Sequence, residues 1–256
     1  MRAMSGRRWL VLLLALAVVA IALAMASNRV RGAAYYLSKS AFAAIEGETP
    51  EPVFEVARIE GEGDIRLYLL HGLENDESQW DLSALEAINS MDAQRIYVRL
   101  VVDDPSYFND GGKLYCQAFF GWMAATQAKL NRAAQPSHTY VAGVSYGGLH
   151  AILAAGQLDF VDGYIALMPA LELGRLPLFE FQSNNHCNPY NFQNYPPGFV
   201  SYAKDDDLVG AELIREFAKY FKVPNTALAS GGHQVTARQA LDARHVMENW
   251  AKPDAD

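Results

Sequence analysis

The chain has 256 residues, of which 51% are hydrophobic and 11% aromatic, so it can bury a core and is not a disordered chain. Its two cysteines are too few for a disulfide-built scaffold or a multi-cysteine zinc module. The net charge of −8 is uneven: residues 1–31 hold five arginines and no acid, whereas the other 225 residues hold 16 basic and 29 acidic groups. Because such an acidic body repels phosphate backbones, we expect no nucleic-acid partner.

An apolar segment near the N-terminus is typical of a membrane anchor or an export signal. Residues 9–26 are 18 consecutive apolar residues. As a helix they would be about 27 Å long, close to the roughly 30 Å of a bilayer's hydrocarbon core. Arg7 and Arg8 precede the segment, and Ala24 and Ala26 suit cleavage before Ser27. Three interpretations stay open: an uncleaved transmembrane anchor, a cleaved signal, and a buried helix.

The first two interpretations predict that the rest of the chain lies outside the cytoplasm, in the periplasm or at the cell surface if the source is bacterial. We therefore divide the chain into residues 1–31 as signal peptide or anchor, residues 32–52 as a juxtamembrane linker, and residues 53–256 as the folded domain. A helix over residues 33–44 is expected in the linker, which ends at Pro50 and Pro52.

Strand and helix patterns alternate along the folded domain. Strands are predicted at residues 53–59, 65–70, 95–102, 139–144, 161–168, 198–203 and 226–229. Helices are predicted at residues 80–88, 117–134, 149–155, 211–221 and 237–250, and a long loop at residues 170–197. The first two strands flank Gly61 and Gly63 and are expected as a hairpin or as neighbours. This alternation predicts an α/β fold with a mostly parallel sheet and helices on both faces.

A candidate nucleophile lies where the 139–144 strand passes into a helix. The motif is Gly143-Val144-Ser145-Tyr146-Gly147. A sharp strand–turn–helix raises the serine hydroxyl above the sheet, and glycines on either side avoid collisions with the neighbouring backbone. Ser145 is therefore the predicted nucleophile.

A serine hydroxyl needs a base, and His233 is the best candidate among six histidines. It follows Gly231 and Gly232, after the last predicted strand, where a loop would hang over the carboxyl edge of the sheet. The other histidines are expected to pack or to face solvent, and His71 to brace a loop; they are His71, His138, His150, His186 and His245.

The base needs a carboxylate that orients it, and three adjacent acids follow the 198–203 strand. Mutual repulsion favours two of the three facing water. Asp206 is the first choice because Leu208 and Val209 can bury and hold its loop. Asp205 is the second choice and Asp207 the third.

Two backbone N–H groups are candidates for an oxyanion hole. One belongs to Tyr146, directly after the nucleophile. The other belongs to Leu73, which follows the 65–70 strand, with Gly72 allowing close approach.

These motifs together resemble the α/β-hydrolase superfamily of serine esterases, lipases and peptidases, over roughly residues 53–252. Leu69-Leu70-His71-Gly72 is similar to its oxyanion strand, residues 143–148 to its nucleophile elbow, and Gly231-Gly232-His233 to its histidine loop. Residues 203–209 resemble its acid loop in a register that favours Asp206, with Ala203 where a glycine is usual. Two regions depart from the family: residues 103–107 match a family turn only loosely, and residues 168–198 are short for a helical lid.

The resemblance implies a serine hydrolase that cleaves carboxylic esters through an acyl-enzyme, with catalytic Ser145, Asp206 and His233. Its partner would be a small-molecule acyl substrate, with the membrane as a second partner if the N-terminal helix is uncleaved. We expect no cofactor and no metal, since no His, Cys or carboxylate spacing suggests one. Two alternatives remain: a peptidase or amidase, because Ser-Tyr-Gly-Gly resembles the elbow of prolyl-oligopeptidase-type enzymes, and a non-catalytic envelope protein on a hydrolase scaffold.

Cys116 and Cys187 are the two thiols of the chain. An exported domain permits a disulfide between them, which would tether the long loop to the 117–134 helix. Two separate thiols are the alternative, and the sequence leaves both open.

Overall fold

A computed structural model of the chain describes residues 53–73, 75–101, 113–171 and 188–252. All of these belong to one compact unit, Thr49–Asp256. The predicted N-terminal segment and linker, residues 1–52, lie outside the described residues, as does most of the predicted long loop. In the part of the chain that is described, no helix is both long and apolar enough to cross a membrane.

A seven-stranded sheet forms the centre of the described domain, in the order β1-β3-β2-β4-β5-β6-β7. The strands are β1 Val53–Glu60, β2 Ile65–Leu70, β3 Gln94–Val101, β4 His138–Val144, β5 Gly163–Leu167, β6 Gly198–Ala203 and β7 Asn225–Leu228. Only the β1–β3 pair among them is antiparallel. The expectation of a mostly parallel sheet is confirmed.

Five α-helices accompany these strands within the described ranges. They are α1 Glu86–Asn89, α2 Lys113–Asn131, α3 Tyr146–Gln157, α4 Ala211–Tyr220 and α5 Ala237–Trp250. Short 3-10 turns lie at Glu77–Asp81, Ser83–Leu85 and Pro189–Asn191.

The helices cover both faces of the sheet, as predicted. Successive side chains of a strand point to opposite faces, so the neighbours of β4 reveal the two layers. Thr139 accepts a hydrogen bond from Gln127 of α2. The next residue, Tyr140, packs its ring against Trp250 of α5, with ring centroids 5.7 Å apart. Because α2 and α5 lie on opposite sides, the strand between them is buried on both.

The predicted pairing of β1 with β2 is wrong. β1 pairs antiparallel with β3, while β2 lies on the far side of β3 and also pairs with β4. Gly61 and Gly63 carry the chain out of β1 with φ angles of 71° and 146°. A Cβ at Gly61 would lie 2.5 Å from the Ala93 carbonyl oxygen, so the connection packs against the turn before β3 instead of closing a hairpin.

The predicted helix over residues 80–88 is broken. Leu82 is extended, with φ −62° and ψ 135°, and separates two 3-10 turns from each other before the short α1. The first turn is capped by Asp76, whose side chain accepts from the Ser78 N–H. Apolar spacing alone does not reveal this interruption, because it carries no information on the extended backbone at Leu82.

The central strands bring their carboxyl ends to one edge. Every residue of β5 and β6 is buried, as is every residue of β4 after His138. Side chains that follow such strands therefore meet on a rigid platform, and the predicted site residues follow β2, β4, β6 and β7.

Candidate active site

Ser145 lies at the turn between β4 and α3. Its backbone has φ 54° and ψ −112°, a conformation that a serine adopts only under constraint. A Cβ at Gly147 would lie 2.3 Å from the Leu70 carbonyl oxygen, and one at Gly143 would lie 2.0 Å from the Gly147 carbonyl oxygen. Both positions therefore need glycine. The helix begins at Tyr146, three residues earlier than the sequence predicted.

The end of β5 holds the Ser145 backbone from the other side. The Ser145 N–H donates to the Leu167 carbonyl at 2.8 Å, and the Ser145 carbonyl accepts from the Ala170 N–H at 3.0 Å. Between these contacts Met168 is in the left-handed region at φ 49°, directly before Pro169. We call these contacts of Leu167 and Ala170 the clamp on the Ser145 backbone. The sequence does not predict it, because no local pattern indicates a methionine in the left-handed region.

Ser145, His233 and Asp206 form a continuous hydrogen-bonded chain. His233 Nε2 lies 2.8 Å from Ser145 Oγ, and His233 Nδ1 lies 2.8 Å from Asp206 Oδ2. A carboxylate can only accept, so Nδ1 carries the proton and Nε2 is free to accept the serine proton. The Asp206 side chain is fully buried, whereas that of His233 is 22% exposed. The ring can thus reach a substrate while its carboxylate stays away from water.

The local backbone explains why Asp206 occupies this position. Its second oxygen, Oδ1, accepts from the backbone N–H groups of Leu208 at 3.0 Å and Val209 at 3.3 Å. These bonds satisfy a buried carboxylate that would otherwise be costly. Asp207 is exposed.

Asp205, the second-choice acid, contacts the histidine loop instead of the imidazole. Its carboxylate accepts from the backbone N–H groups of Gly232 at 2.9 Å and Gly231 at 3.2 Å. These two hydrogen bonds hold the pKa of Asp205 below its usual value, and the bond from Gly232 has the larger effect. Asp205 is therefore charged at neutral pH. Its contact with the backbone amides is not predictable from residue types, since every residue except proline carries an N–H.

The two predicted oxyanion donors belong to segments that adjoin Ser145. Tyr146 is the first residue of α3 and directly follows Ser145. Gly72, which precedes Leu73, is so near the nucleophile that a Cβ on it would lie 3.4 Å from Ser145 Cβ. A role for these amides in holding an oxyanion remains a prediction.

His71 and Gln79 hold the Gly72 peptide. The Leu100 N–H donates to His71 Nε2 at 2.8 Å, so the His71 proton is on Nδ1 and is donated to the Gly72 carbonyl at 2.7 Å. Gln79 accepts from the Gly72 N–H at 2.7 Å. Burial lowers the pKa of His71, which keeps this arrangement neutral. Such contacts are those of a loop-bracing residue.

The remaining histidines lie away from Ser145 Oγ or outside the described residues. His150 is buried in α3 and donates from Nδ1 to the Tyr146 carbonyl at 2.9 Å. His138 lies at the start of β4, at the opposite end from the site, and stacks on Tyr140. His245 is exposed on α5, and His186 is outside the described residues.

His150 makes the stability of the domain sensitive to acid. Burial lowers its pKa from 6.5 to about 4. The unfolded chain therefore binds this proton first, so stability is full above pH 6.5 and falls as the pH drops toward 4. We expect His150 to contribute a loss of up to about 3 kcal/mol in the free energy of unfolding across this range.

Urea unfolding of wild type and His150→Gln at pH 7.5, 5.5 and 4.5 checks this expectation. Glutamine can donate to the same carbonyl but does not titrate, so the stability difference between the two proteins should shift toward the variant as the pH falls. Carboxylates titrate in both proteins and cancel in the difference. A stability difference that is constant with pH would contradict the assignment.

Cys116 is fully buried and disulfide-bonded. The other cysteine of the chain, Cys187, lies outside the described residues. Among the residues that are described, no group of three or more His, Cys, Asp or Glu side chains is arranged to hold a metal ion.

No family model matches this sequence, and no curated protein matches it either. The chain is instead similar in structure to solved hydrolases. Est1E from Butyrivibrio proteoclasticus with bound ferulic acid has a TM-score of 0.59 at 16% identity, over 78% of this chain and 97% of that one. A thermophilic esterase from Thermogutta terrifontis, with propionate bound, has a TM-score of 0.58 at 14% identity, over 80% of this chain and 97% of that one.

S-formylglutathione hydrolase from Staphylococcus aureus is a third solved structure of this kind. Its TM-score is 0.51 at 20% identity, over 76% of this chain and 82% of that one. At these identities the similarity establishes the fold, and the chemistry has to be argued from the side chains.

Proposed function

Since this chain has the α/β-hydrolase fold, we propose that it is a serine hydrolase that cleaves carboxylic esters through an acyl-enzyme. The observation that carries the proposal is the hydrogen-bonded chain from Ser145 through His233 to Asp206. The three side chains come from separate loops, after β4, β6 and β7, yet meet at 2.8 Å each. A purely structural role would not require a strained serine backbone at their meeting point.

The proposed reaction begins with attack of Ser145 Oγ on the ester carbonyl carbon. The hydroxyl proton passes to His233 Nε2, while Asp206 stabilises the imidazolium that forms. The N–H groups of Leu73 and Tyr146 would hold the oxyanion. Collapse of the tetrahedral intermediate breaks the ester C–O bond, and the proton on Nε2 goes to the departing alkoxide. Water, deprotonated by the same nitrogen, then attacks the acyl carbon. The bond between that carbon and Ser145 Oγ breaks, the Nε2 proton returns to Oγ, and the acid is released.

Several features support an ester as the substrate. An alcohol is a better leaving group than an amine. Cleavage of an ester therefore depends less than cleavage of an amide on proton donation by His233 to the leaving group. Two of the similar solved structures, both esterases or similar enzymes by their names, hold ferulic acid in one case and propionate in the other. A peptidase or amidase is the competing function, favoured by the Ser-Tyr-Gly-Gly sequence of the elbow.

We also propose that the catalytic domain lies outside the cytoplasm, anchored by or exported with residues 9–26. The disulfide at Cys116 supports this, because disulfides persist in oxidising compartments. Cell fractionation tests the proposal, and recovery of the protein in the cytosolic soluble fraction would refute it.

Covalent trapping tests the proposed function. A fluorophosphonate should label the folded chain on Ser145, as located by peptide mass spectrometry, and the label should be absent from Ser145→Ala. Turnover of a p-nitrophenyl ester and a p-nitroanilide with the same acyl group then separates esterase from amidase. Faster anilide cleavage would favour the peptidase, while a folded protein that neither labels nor turns over would favour the non-catalytic scaffold.

A further inference from the structure

The loop that carries His233 contains two consecutive glycines in unusual backbone conformations. It connects the end of β7 at Leu228 to the start of α5 at Ala237. Gly231 and Gly232 have φ angles of 151° and 55°, conformations that other residues rarely adopt. Glycine is the most flexible residue in an unfolded chain, so ordering two in succession needs an external contact.

Asp205 supplies that contact. Its Oδ1 accepts from the Gly232 N–H at 2.9 Å and its Oδ2 from the Gly231 N–H at 3.2 Å. Within the described residues, these are the hydrogen bonds by which another segment of the chain reaches the loop backbone between Leu228 and Thr236. Both acceptor oxygens belong to a charged group, which makes the two bonds stronger than bonds to a neutral acceptor.

We propose that Asp205 is a positioning residue that sets the His233 imidazole between Ser145 and Asp206 by holding the Gly231 and Gly232 amides. Neighbouring acids at the end of β6 thus divide the task, since Asp206 binds the ring and Asp205 binds the backbone directly before it. The kinetic part of this inference rests on the proposed esterase function.

Because of where Asp205 lies, its effect on the position of His233 can be measured apart from any effect on the stability of the fold. Asp205 is exposed, so removing its carboxylate leaves neither a cavity nor a buried unpaired group. Gly232, in contrast, is covalently next to His233, so a shift of its amide is transmitted directly to the base. Loss of Asp205 should therefore affect catalysis much more than stability.

The test compares Asp205→Ala and Asp205→Asn with Asp207→Asn, an exposed carboxylate two residues further on. Displacement of a catalytic group by about 1 Å can cost roughly 100-fold, so we expect Asp205→Ala to lower kcat by about 10- to 100-fold with KM nearly unchanged. Asparagine offers one acceptor oxygen for two N–H groups and should give an intermediate loss. Asp207→Asn should keep wild-type kcat, and all three should keep the wild-type circular dichroism spectrum.

A double-mutant cycle shows whether Asp205 acts through His233. In a His233→Ala background the further change Asp205→Ala should leave the residual ester hydrolysis unchanged, because there is no imidazole left to position. An equal fold-loss in both backgrounds would overturn the proposal, as would full kcat in Asp205→Ala.

Proton NMR gives a readout that needs no turnover. The low-field signal of the His233 Nδ1 proton, identified by its absence from His233→Ala, should broaden or vanish in Asp205→Ala and persist in Asp207→Asn. If the signal behaves in this way but wild type hydrolyses no ester, the positioning role stands and the proposed function fails. An unaltered signal in Asp205→Ala would overturn the positioning role itself.

Discussion

Ser145→Ala should lose ester hydrolysis almost completely, with kcat falling by about 10⁵- to 10⁶-fold. The substitution removes the atom that would form the acyl-enzyme, and His233 Nε2 loses its 2.8 Å partner. Some acceleration over water should remain, because the backbone amides near Leu73 and Tyr146 stay in place. Initial rates with a p-nitrophenyl ester check the expectation, at enzyme concentrations high enough to detect the residual activity.

Ser201→Ala is the matched control for this substitution. Ser201 lies on β6 with its side chain fully buried, and Oγ has no hydrogen-bond partner among the described residues. The same hydroxyl deletion there should leave kcat within about 2-fold and stability unchanged or slightly higher. Full activity in Ser145→Ala would refute the assigned nucleophile, and equal losses in both variants would point to damage to the sheet instead of to the chemistry.

Asp206→Asn should lower kcat by about 10⁴-fold, the second largest effect. In the wild type Asp206 Oδ1 accepts two backbone N–H groups while Oδ2 accepts the His233 proton. Asparagine has one oxygen, and two backbone donors compete for it. The amide NH₂ then faces His233 Nδ1, which must become an acceptor, so the proton moves to Nε2. An Nε2–H cannot take the proton of Ser145.

Asp207→Asn makes the identical change in charge and shape one residue away, on an exposed side chain, and should retain activity. Steady-state kinetics and fluorophosphonate labelling rates of both variants check the prediction. A loss below 10-fold in Asp206→Asn would mean that another group orients the base.

Much of the candidate site could be read from the sequence because its residues follow strands. Ser145 comes directly after β4, Asp206 three residues after the end of β6, and His233 five residues after the end of β7, and parallel strands end at one edge. The choice of Asp206 over its neighbours rests on burial of Leu208 and Val209, but only Val209 is buried and Leu208 is 39% exposed. Both residues hold the Asp206 carboxylate through their backbone N–H groups. The catalytic roles themselves stay predictions until they are measured.

Other features depended on contacts between distant segments. The pairing of β1 with β3 is antiparallel and skips β2, which local alternation does not encode. The clamp on the Ser145 backbone comes from Leu167 and Ala170, more than twenty residues later in the chain. By sequence Asp205 is only the second-choice acid, because its partners in the structure are backbone amides, which carry no residue-specific signal.

The nucleophile and the base lie on parts of the sheet with unequal protection. β4 is buried between β2 and β5, whereas β7 is a four-residue edge strand, half-exposed, with β6 as its one strand neighbour in the described sheet. Edge elements open locally at a lower free energy than a sheet's centre. The proposed activity therefore depends on β7 staying paired with β6. Local unfolding of β7 would displace His233 and abolish activity while the core around Ser145 stayed folded.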